Sequence, residues 1–126
     1  MEELILVVGD HEVVRGALRK RLEMAFPHYQ VIEAAGSEEA IALVLSQSPR
    51  VVILDIGPPA AERLGMARHI KTIQPSVQIV VWTVHEWESY RADALAAGAT
   101  AYVLKEETPD KLLSVLTALL SDCTKK

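Results

Sequence analysis

Four polar residues stand at or close behind the ends of short apolar runs, and their types suit phosphoryl chemistry. They are Asp10, Asp55, Thr83 and Lys105. Two carboxylates in one crevice repel each other, so a cation should accompany them. A hard divalent ion such as Mg²⁺ suits a few carboxylate oxygens, a backbone carbonyl and several waters. A carboxylate nucleophile, a metal, a lysine and a hydroxyl together predict phosphoryl transfer onto an aspartate.

The apolar runs alternate with amphipathic stretches, which gives five strand–helix units. Strands are predicted at residues 4–8, 30–34, 51–54, 77–82 and 101–104. Because these strands are almost continuously apolar, both faces should be buried, as in a parallel sheet with helices on each side. Right-handed crossovers and five units predict an α/β fold: one doubly wound, flavodoxin-like (βα)5 domain over residues 1–126, with strand order 2-1-3-4-5.

Helical periodicity predicts which side chains the helices bury and where the helices begin. The first helix should bury Val14, Leu18, Leu22 and Ala25. The second should begin after an N-cap at Ser37, run to about Gln47 and bury Ala40, Ile41, Val44 and Leu45. The third should bury Leu64, Ala67, Ile70 and Ile73, and the fourth should span about Trp87 to Ala97 with Gly98 as its C-cap. The last should open with Thr108 as N-cap and Pro109 at the first helical position, then bury Leu112, Leu113, Leu116, Leu119 and Leu120.

The predicted topology brings the four polar residues together. In open α/β sheets, ligands bind outside the carboxyl ends of the strands, near the point where the strand order reverses. With the order 2-1-3-4-5, the first and third strands are neighbours, so Asp10 and Asp55 should converge. Thr83 and Lys105 should flank them from the fourth and fifth strands. We therefore expect one crevice that holds all four side chains.

Composition excludes several other classes of protein. The chain has 126 residues, of which 50% are hydrophobic, so one compact domain is expected rather than disorder. Its net charge is −4 and its basic residues are scattered, which argues against direct binding of nucleic acid. No apolar run approaches the roughly 20 residues that span a bilayer. The acidic start at Glu2 and Glu3 and the single Cys123 favour a cytoplasmic protein without disulfides.

Taken together, the motifs resemble the receiver domains of two-component response regulators over essentially the whole chain. The resemblance is carried by Val7-Val8-Gly9-Asp10-His11, by Asp55 with Pro59 four residues on, by Thr83, and by Tyr102-Val103-Leu104-Lys105. Asp10-His11 followed by Val14-Arg15, with Glu106 rather than proline after Lys105, resembles the NarL/LuxR-type branch. Members of that branch usually carry a C-terminal helix-turn-helix DNA-binding domain, which we expect to be absent from this chain.

The resemblance implies a role for each site residue. Asp55 would accept the phosphoryl group, and Asp10, Asp55 and the Gly57 carbonyl would hold Mg²⁺. Thr83 would bind a phosphoryl oxygen, Lys105 would pair with the phosphate, and Thr83 and Tyr102 would form the switch, in which Tyr102 turns inward on activation.

The implied partners are proteins. A sensor histidine kinase would supply the phosphoryl group, and an effector domain, in the same protein or a partner, would respond to it. A homodimer could form through the fourth helix, fifth strand and fifth helix, or through the first and fifth helices. No contact with a membrane is expected.

Two residues depart from the receiver pattern. Receivers normally have two adjacent acidic residues after the first strand, and Gly9 occupies the first of these positions. Losing an outer-sphere partner of a metal typically costs about 10- to 100-fold in affinity or activity, so weak Mg²⁺ binding is expected. The position eight residues after Asp55, usually glycine, is Arg63, and we expect this change to alter only the loop into the third helix.

Two other functions remain open from the sequence. A pseudo-receiver would keep the fold but act without phosphorylation, through protein contacts or a small ligand, and Gly9 is the feature that favours it. An independent phosphatase- or hydrolase-type enzyme on the same fold would need a second-step general acid or base, for which the sequence offers no clear residue. The leading prediction is a signalling receiver that at most catalyses its own phosphorylation and dephosphorylation.

Overall fold

A five-stranded parallel sheet forms the centre of the computed structural model, which describes residues 3–57, 61–86 and 88–122. Its strands are β1 Leu4–Val8, β2 Gln30–Ala34, β3 Val51–Asp55, β4 Gln78–Thr83 and β5 Ala101–Leu104. The helices are α1 Glu12–Ala25, α2 Ser37–Gln47, α3 Ala61–Ile73, α4 Glu88–Ala96 and α5 Leu113–Asp122. A 3₁₀ helix at Lys105–Glu107 and a π helix at Thr108–Leu112 join β5 to α5, and we call them the β5–α5 turn. The predictions that concern Glu2, Pro59, Trp87 and Cys123 lie outside the described residues.

The strand order is β2-β1-β3-β4-β5 and every neighbouring pair is parallel, which confirms the predicted topology. Each strand lies within one residue of its predicted bounds at either end. β1 and β3 are neighbours although β2 lies between them in sequence, so the order reverses at the edge where the carboxyl ends of β1 and β3 meet. This edge is the ligand-binding position in folds of this type.

Alternate side chains of the strands pack into two separate hydrophobic cores, one on each face of the sheet. Leu6, Val8, Val52 and Leu54 pack with buried residues of α2, α3 and α4. Ile5, Val7, Val51 and Ile53 pack with α1 and α5. Because side chains alternate along a strand, Asp55 follows Val51 and Ile53 onto the α1–α5 side. Trp82 also belongs to the core on that side.

Three predictions about individual helix positions are wrong. Leu45 is 65% exposed, and Ala25 is exposed in the last position of α1. The 3.6-residue period identifies a helix face, but it does not show where the neighbouring elements stop covering that face. Ser37 is the first residue of α2 rather than its N-cap, which is Gly36. The Ser37 hydroxyl instead donates to Glu62 Oε2 of α3 at 2.9 Å.

The entry into α5 also differs from the prediction. Thr108 is not an N-cap, because the chain first makes the β5–α5 turn and α5 starts only at Leu113. Two side-chain hydrogen bonds support the turn. The Leu104 N–H donates to Glu107 Oε1 at 3.0 Å, and the Thr108 hydroxyl donates to the Lys105 carbonyl at 2.6 Å. Within the described ranges, no helix is both long enough and apolar enough to cross a membrane.

Candidate phosphoryl-acceptor site

Asp55 and Lys105 form an ion pair at the carboxyl edge of the sheet. Lys105 Nζ lies 2.8 Å from Asp55 Oδ1, and both side chains are partly buried. β4 separates β3 from β5, and Trp82 is the β4 residue in register with Asp55. Lys105 therefore reaches the carboxylate across the indole, with Nζ 4.7 Å from the centre of the Trp82 ring. An ammonium over an aromatic face is attracted by the ring as well as by the carboxylate.

Gly9 packs directly against Asp55. Val8, the last residue of β1, is in register with Leu54, so Gly9 just beyond it lies opposite Asp55, the last residue of β3. A Cβ atom on Gly9 would lie 3.0 Å from Asp55 Cβ and 3.3 Å from its Oδ2. The glycine thus allows a closer approach of the Asp55 side chain than most residues would permit. Asp10, the next residue, is exposed in the loop between β1 and α1.

Arg15 fixes the loop that carries Asp10. Its guanidinium donates through NH1 to the Gly9 carbonyl and through Nε to Glu33 Oε1 of β2 at 2.6 Å. The Gly9 N–H donates to the Ala34 carbonyl at 3.1 Å, so both peptide groups of Gly9 are anchored. The hydrogen bond from Arg15 lowers the pKa of Glu33 below its ordinary value of 4.5. Sequence reasoning missed this role of Arg15.

Thr83 and Tyr102 meet at the backbone of His85. Thr83 is completely buried, and its hydroxyl accepts from the His85 N–H at 3.2 Å. The Tyr102 hydroxyl donates to the His85 carbonyl at 2.6 Å. The Tyr102 ring is 4% exposed, and its burial raises the pKa of the phenol. Tyr102 already lies inward in this structure, so the predicted inward turn from another conformation stays a prediction.

Arg63, which was expected to alter only the loop into the third helix, lies within α3 itself. It belongs to the first turn of α3 and is only 8% exposed, on the same buried face as Met66, Ala67 and Ile70. Its NH1 atom is buried and has no hydrogen-bond partner. The expectation that Arg63 alters only a loop is therefore wrong, because its guanidinium group lies at the end of the buried face of α3.

The donor set at this edge fits Mg²⁺ in type. Asp10 and Asp55 offer carboxylate oxygens, and Gly57, exposed just beyond β3, offers a carbonyl. Magnesium is commonly held by one or two carboxylates and keeps several waters. In the part of the chain that the structure describes, no three His, Cys, Asp or Glu side chains group as a metal centre would require. Whether Gly9 weakens Mg²⁺ binding at this donor set stays a prediction.

The structure brings Asp55 into direct contact with Lys105 and places Gly9 against Asp55. Asp10 and Thr83 lie at the same edge of the sheet, at the ends of β1 and β4. Sequence reasoning missed the contribution of Trp82 and Thr108, which contact the ammonium and the backbone carbonyl of Lys105. The pairing of Trp82 with Asp55 follows from the sheet order, so the predicted topology contained the signal for Trp82.

The chain belongs to the response regulator receiver domain family, whose profile matches residues 5–117. A solved two-component response regulator of the LuxR family from Aurantimonas sp. SI85-9A1 is 31% identical, with a TM-score of 0.86 over 97% of this chain and 87% of that one. The nitrate/nitrite response regulator protein NarL of Escherichia coli is 32% identical over 89% of this chain and 52% of its own length. The predicted NarL/LuxR-type branch is thereby confirmed.

A further solved relative bears on the chemistry. It is a response regulator from Burkholderia pseudomallei with a phosphorylated aspartic acid, a calcium ion and citrate. It is 27% identical, with a TM-score of 0.78 over 94% of this chain and 66% of that one. The chain spans about half the length of the curated relatives that it matches.

Proposed function

We propose that this receiver domain accepts a phosphoryl group on Asp55 and thereby switches a protein-interaction surface. The observation that carries the proposal is the Asp55–Lys105 ion pair at the reversal point of a receiver-type sheet. A carboxylate that faces a fixed ammonium is a nucleophile with a cation already in place for the incoming phosphoryl oxygens. The phosphorylated aspartic acid of the Burkholderia pseudomallei relative supports the same chemistry.

In the proposed step, an Asp55 oxygen attacks the phosphorus of the donor. A new oxygen–phosphorus bond forms, the bond to the leaving group breaks, and the leaving group departs with the electron pair. Lys105 balances the negative charge on the phosphoryl oxygens, and the Thr83 hydroxyl donates to one of them after it turns from its present position. Bound Mg²⁺, held by Asp10, Asp55 and the Gly57 carbonyl, would neutralise further charge on the same oxygens.

The proposed partners follow from the family. A sensor histidine kinase would supply the phosphoryl group, and an effector domain would read the switch, with control of transcription as the output. The domain acts as a signalling acceptor in the cytoplasm and not as an enzyme with a diffusible substrate. Tyr102 and Thr83, joined through the His85 backbone, would connect Asp55 to the surface around α4, β5 and α5.

Two surfaces are alternatives for self-association. On the α1–α5 surface, Met24 is 84% exposed beside a groove that Leu113 also lines. On the α4–β5–α5 surface, Leu95 is 51% exposed. Met24→Glu and Leu95→Glu separate the alternatives in sedimentation experiments, because a dimer through one surface is lost in only one of the two variants.

The central test is intact mass after incubation with acetyl phosphate and Mg²⁺. We expect one phosphoryl group per wild-type chain and none on Asp55→Asn, because the amide keeps the shape but removes the nucleophile. Asp93→Asn, at an exposed position of α4, should be labelled like wild type and is the matched control. Lys105→Ala should fold but react more slowly. Equal labelling of wild type and Asp55→Asn would show that another group reacts.

Gly9 favours one other function, a pseudo-receiver that works through protein contacts without phosphorylation. Its position lacks the carboxylate that receivers normally have beside Asp10, and the charge of Asp55 is already paired with Lys105. Absence of labelling together with absence of Mg²⁺ binding at millimolar concentrations would establish this alternative in place of the acceptor function.

A further inference from the structure

Trp82, Thr108 and Lys105 form a closed ring of contacts beside the acceptor. The Trp82 indole N–H donates to Thr108 Oγ1 at 3.0 Å, and this hydrogen bond is buried. The Thr108 hydroxyl donates to the Lys105 carbonyl at 2.6 Å. The Lys105 ammonium then returns to the Trp82 ring at 4.7 Å. Both ends of Lys105, its backbone carbonyl and its ammonium, are thus held by the same two residues.

The surroundings of Trp82 make the hydrogen bond important for the position of the ring. A groove of about 380 Å³ runs between α1 and the β5–α5 turn and is lined by Trp82 and Thr108 together with Val13 and Leu18. Trp82 is buried in the core on the α1–α5 side, and part of it borders this groove. The contact with Thr108 adds a directional restraint to this packing, since a hydrogen bond selects one ring orientation.

We propose that Trp82 and Thr108 are positioning residues for Lys105, and that they place its ammonium where it meets the phosphoryl oxygens on Asp55. The proposal rests on the acceptor function proposed above. Trp82 provides the surface on which the ammonium lies, and Thr108 fixes both that surface and the backbone from which Lys105 extends. A small misplacement of a charged group at a reacting centre reduces the rate even when the fold is kept.

The ring also links the acceptor to α5. When a phosphoryl group occupies Asp55, its oxygens attract the Lys105 ammonium more strongly than the single carboxylate does. The ammonium is joined to Thr108, in the π helix that leads into α5, through the Trp82 ring and its hydrogen bond. The contacts that hold Lys105 beside Asp55 thus extend to the β5–α5 turn, without a direct contact between Thr108 and the phosphoryl group.

A double-mutant cycle tests the proposal on the full chain. Trp82→Phe keeps an aromatic face but removes the indole donor, and Thr108→Val removes the hydroxyl with little change in shape. Each should slow the labelling of Asp55 by acetyl phosphate about three- to ten-fold, as expected for one ordinary hydrogen bond. The double variant should be little slower than the Thr108 variant alone, because the singles share one contact. Thr117→Val removes a similar hydroxyl-to-carbonyl bond within α5 and should react like wild type.

A spectroscopic readout separates positioning from a general loss of structure. In wild type, the ε-methylene protons of Lys105 should resonate upfield of those of the other lysines, because they lie near the face of the indole. Thr108→Val should move them towards the ordinary position, while Thr117→Val should not. Unchanged Lys105 resonances and unchanged labelling in Thr108→Val would overturn the proposal. Failure of wild type to be labelled would refute the acceptor function instead, and the Lys105 resonances would still decide the positioning role.

Discussion

Replacements of Gly9 can distinguish two effects on the Asp55 site: the charge that a new side chain adds and the space that it occupies. Asp10, Asp55 and Lys105 have a formal net charge of −1, and an aspartate at position 9 would make it −2. We expect Gly9→Asp to strengthen Mg²⁺ binding about ten-fold, the lower end of the effect of outer-sphere partners. Without metal, the variant should melt at a lower temperature, because three carboxylates then crowd one crevice. Titration with Mg²⁺, followed by tryptophan fluorescence, and melting with and without metal measure both effects.

Gly9→Asn is the matched control for this prediction. Any side chain at position 9 places its Cβ about 3.0 Å from Asp55 Cβ, so both variants must displace the acceptor by a few tenths of an ångström. Only the aspartate adds charge. If Gly9→Asp and Gly9→Asn bind Mg²⁺ equally, the loss of space rather than the missing charge governs the site, and the ten-fold prediction is wrong.

The positions of the candidate site residues were largely predictable, because strand ends and sheet order fix where they lie. The topology predicted that Lys105 would lie beside the aspartates, and it contacts Asp55 directly. The environment of Lys105 was less predictable. Trp82 reads from sequence as a core residue, which it is, but burial does not reveal that its ring faces an ammonium. The residue type of Thr108 and the proline after it predict an N-cap. In the structure its hydroxyl instead donates to the backbone carbonyl of Lys105, three residues earlier.

At the scale of a single element, α3 contains a buried polar group that should lower the free energy of unfolding. Arg63 places a buried NH1 without a hydrogen-bond partner on a face that otherwise packs apolar side chains. A buried, unsatisfied polar group costs about 1–3 kcal/mol. We therefore expect Arg63→Met, which keeps an unbranched stem and a similar helix propensity but removes the charge, to raise the free energy of unfolding by about 1–2 kcal/mol in urea titrations.

Arg68→Met is the control for the α3 prediction, because Arg68 is exposed on the same helix. It should change the free energy of unfolding by less than about 0.5 kcal/mol. Destabilisation by Arg63→Met of 1 kcal/mol or more would mean that the guanidinium makes a favourable interaction on this face, and the assignment of NH1 as a cost would be wrong.

The contact between α1 and β2 should make stability depend on pH. Arg15 lowers the pKa of Glu33 in the folded chain, so the ionised carboxylate is favoured there. This contribution is fully present above the ordinary pKa of 4.5 and is lost as the pH falls through the lower, folded value. Glu33→Gln should therefore destabilise the protein by about 1 kcal/mol at pH 7 and by much less near pH 3. Urea unfolding at the two pH values checks this, and an equal loss at both would contradict it.

At the scale of the whole molecule, the fold was more predictable than its surface. Five apolar runs and their connections determine the order of the strands, because right-handed crossovers leave few alternatives. The exposure of Leu45 was not predictable in the same way, since a helix face wider than its neighbours leaves apolar residues uncovered at its margin. The β5–α5 turn was missed because 3₁₀ and π geometry depends on side-chain bonds to Glu107 and Thr108 that periodicity does not encode.

Occupation of the acceptor should stabilise the entire domain, because the site is assembled from strands that are far apart in sequence. Beryllofluoride with Mg²⁺ mimics the phosphoryl group and can bind only when β3 and β5 present Asp55 and Lys105 together. A ligand at a hundred times its Kd adds about 2.7 kcal/mol to the free energy of unfolding. We expect the melting temperature of wild type to rise by several degrees, that of Lys105→Ala to rise less, and that of Asp55→Asn to stay unchanged. A rise in Asp55→Asn equal to that of wild type would mean that beryllofluoride binds elsewhere, and the stabilisation would then say nothing about the acceptor.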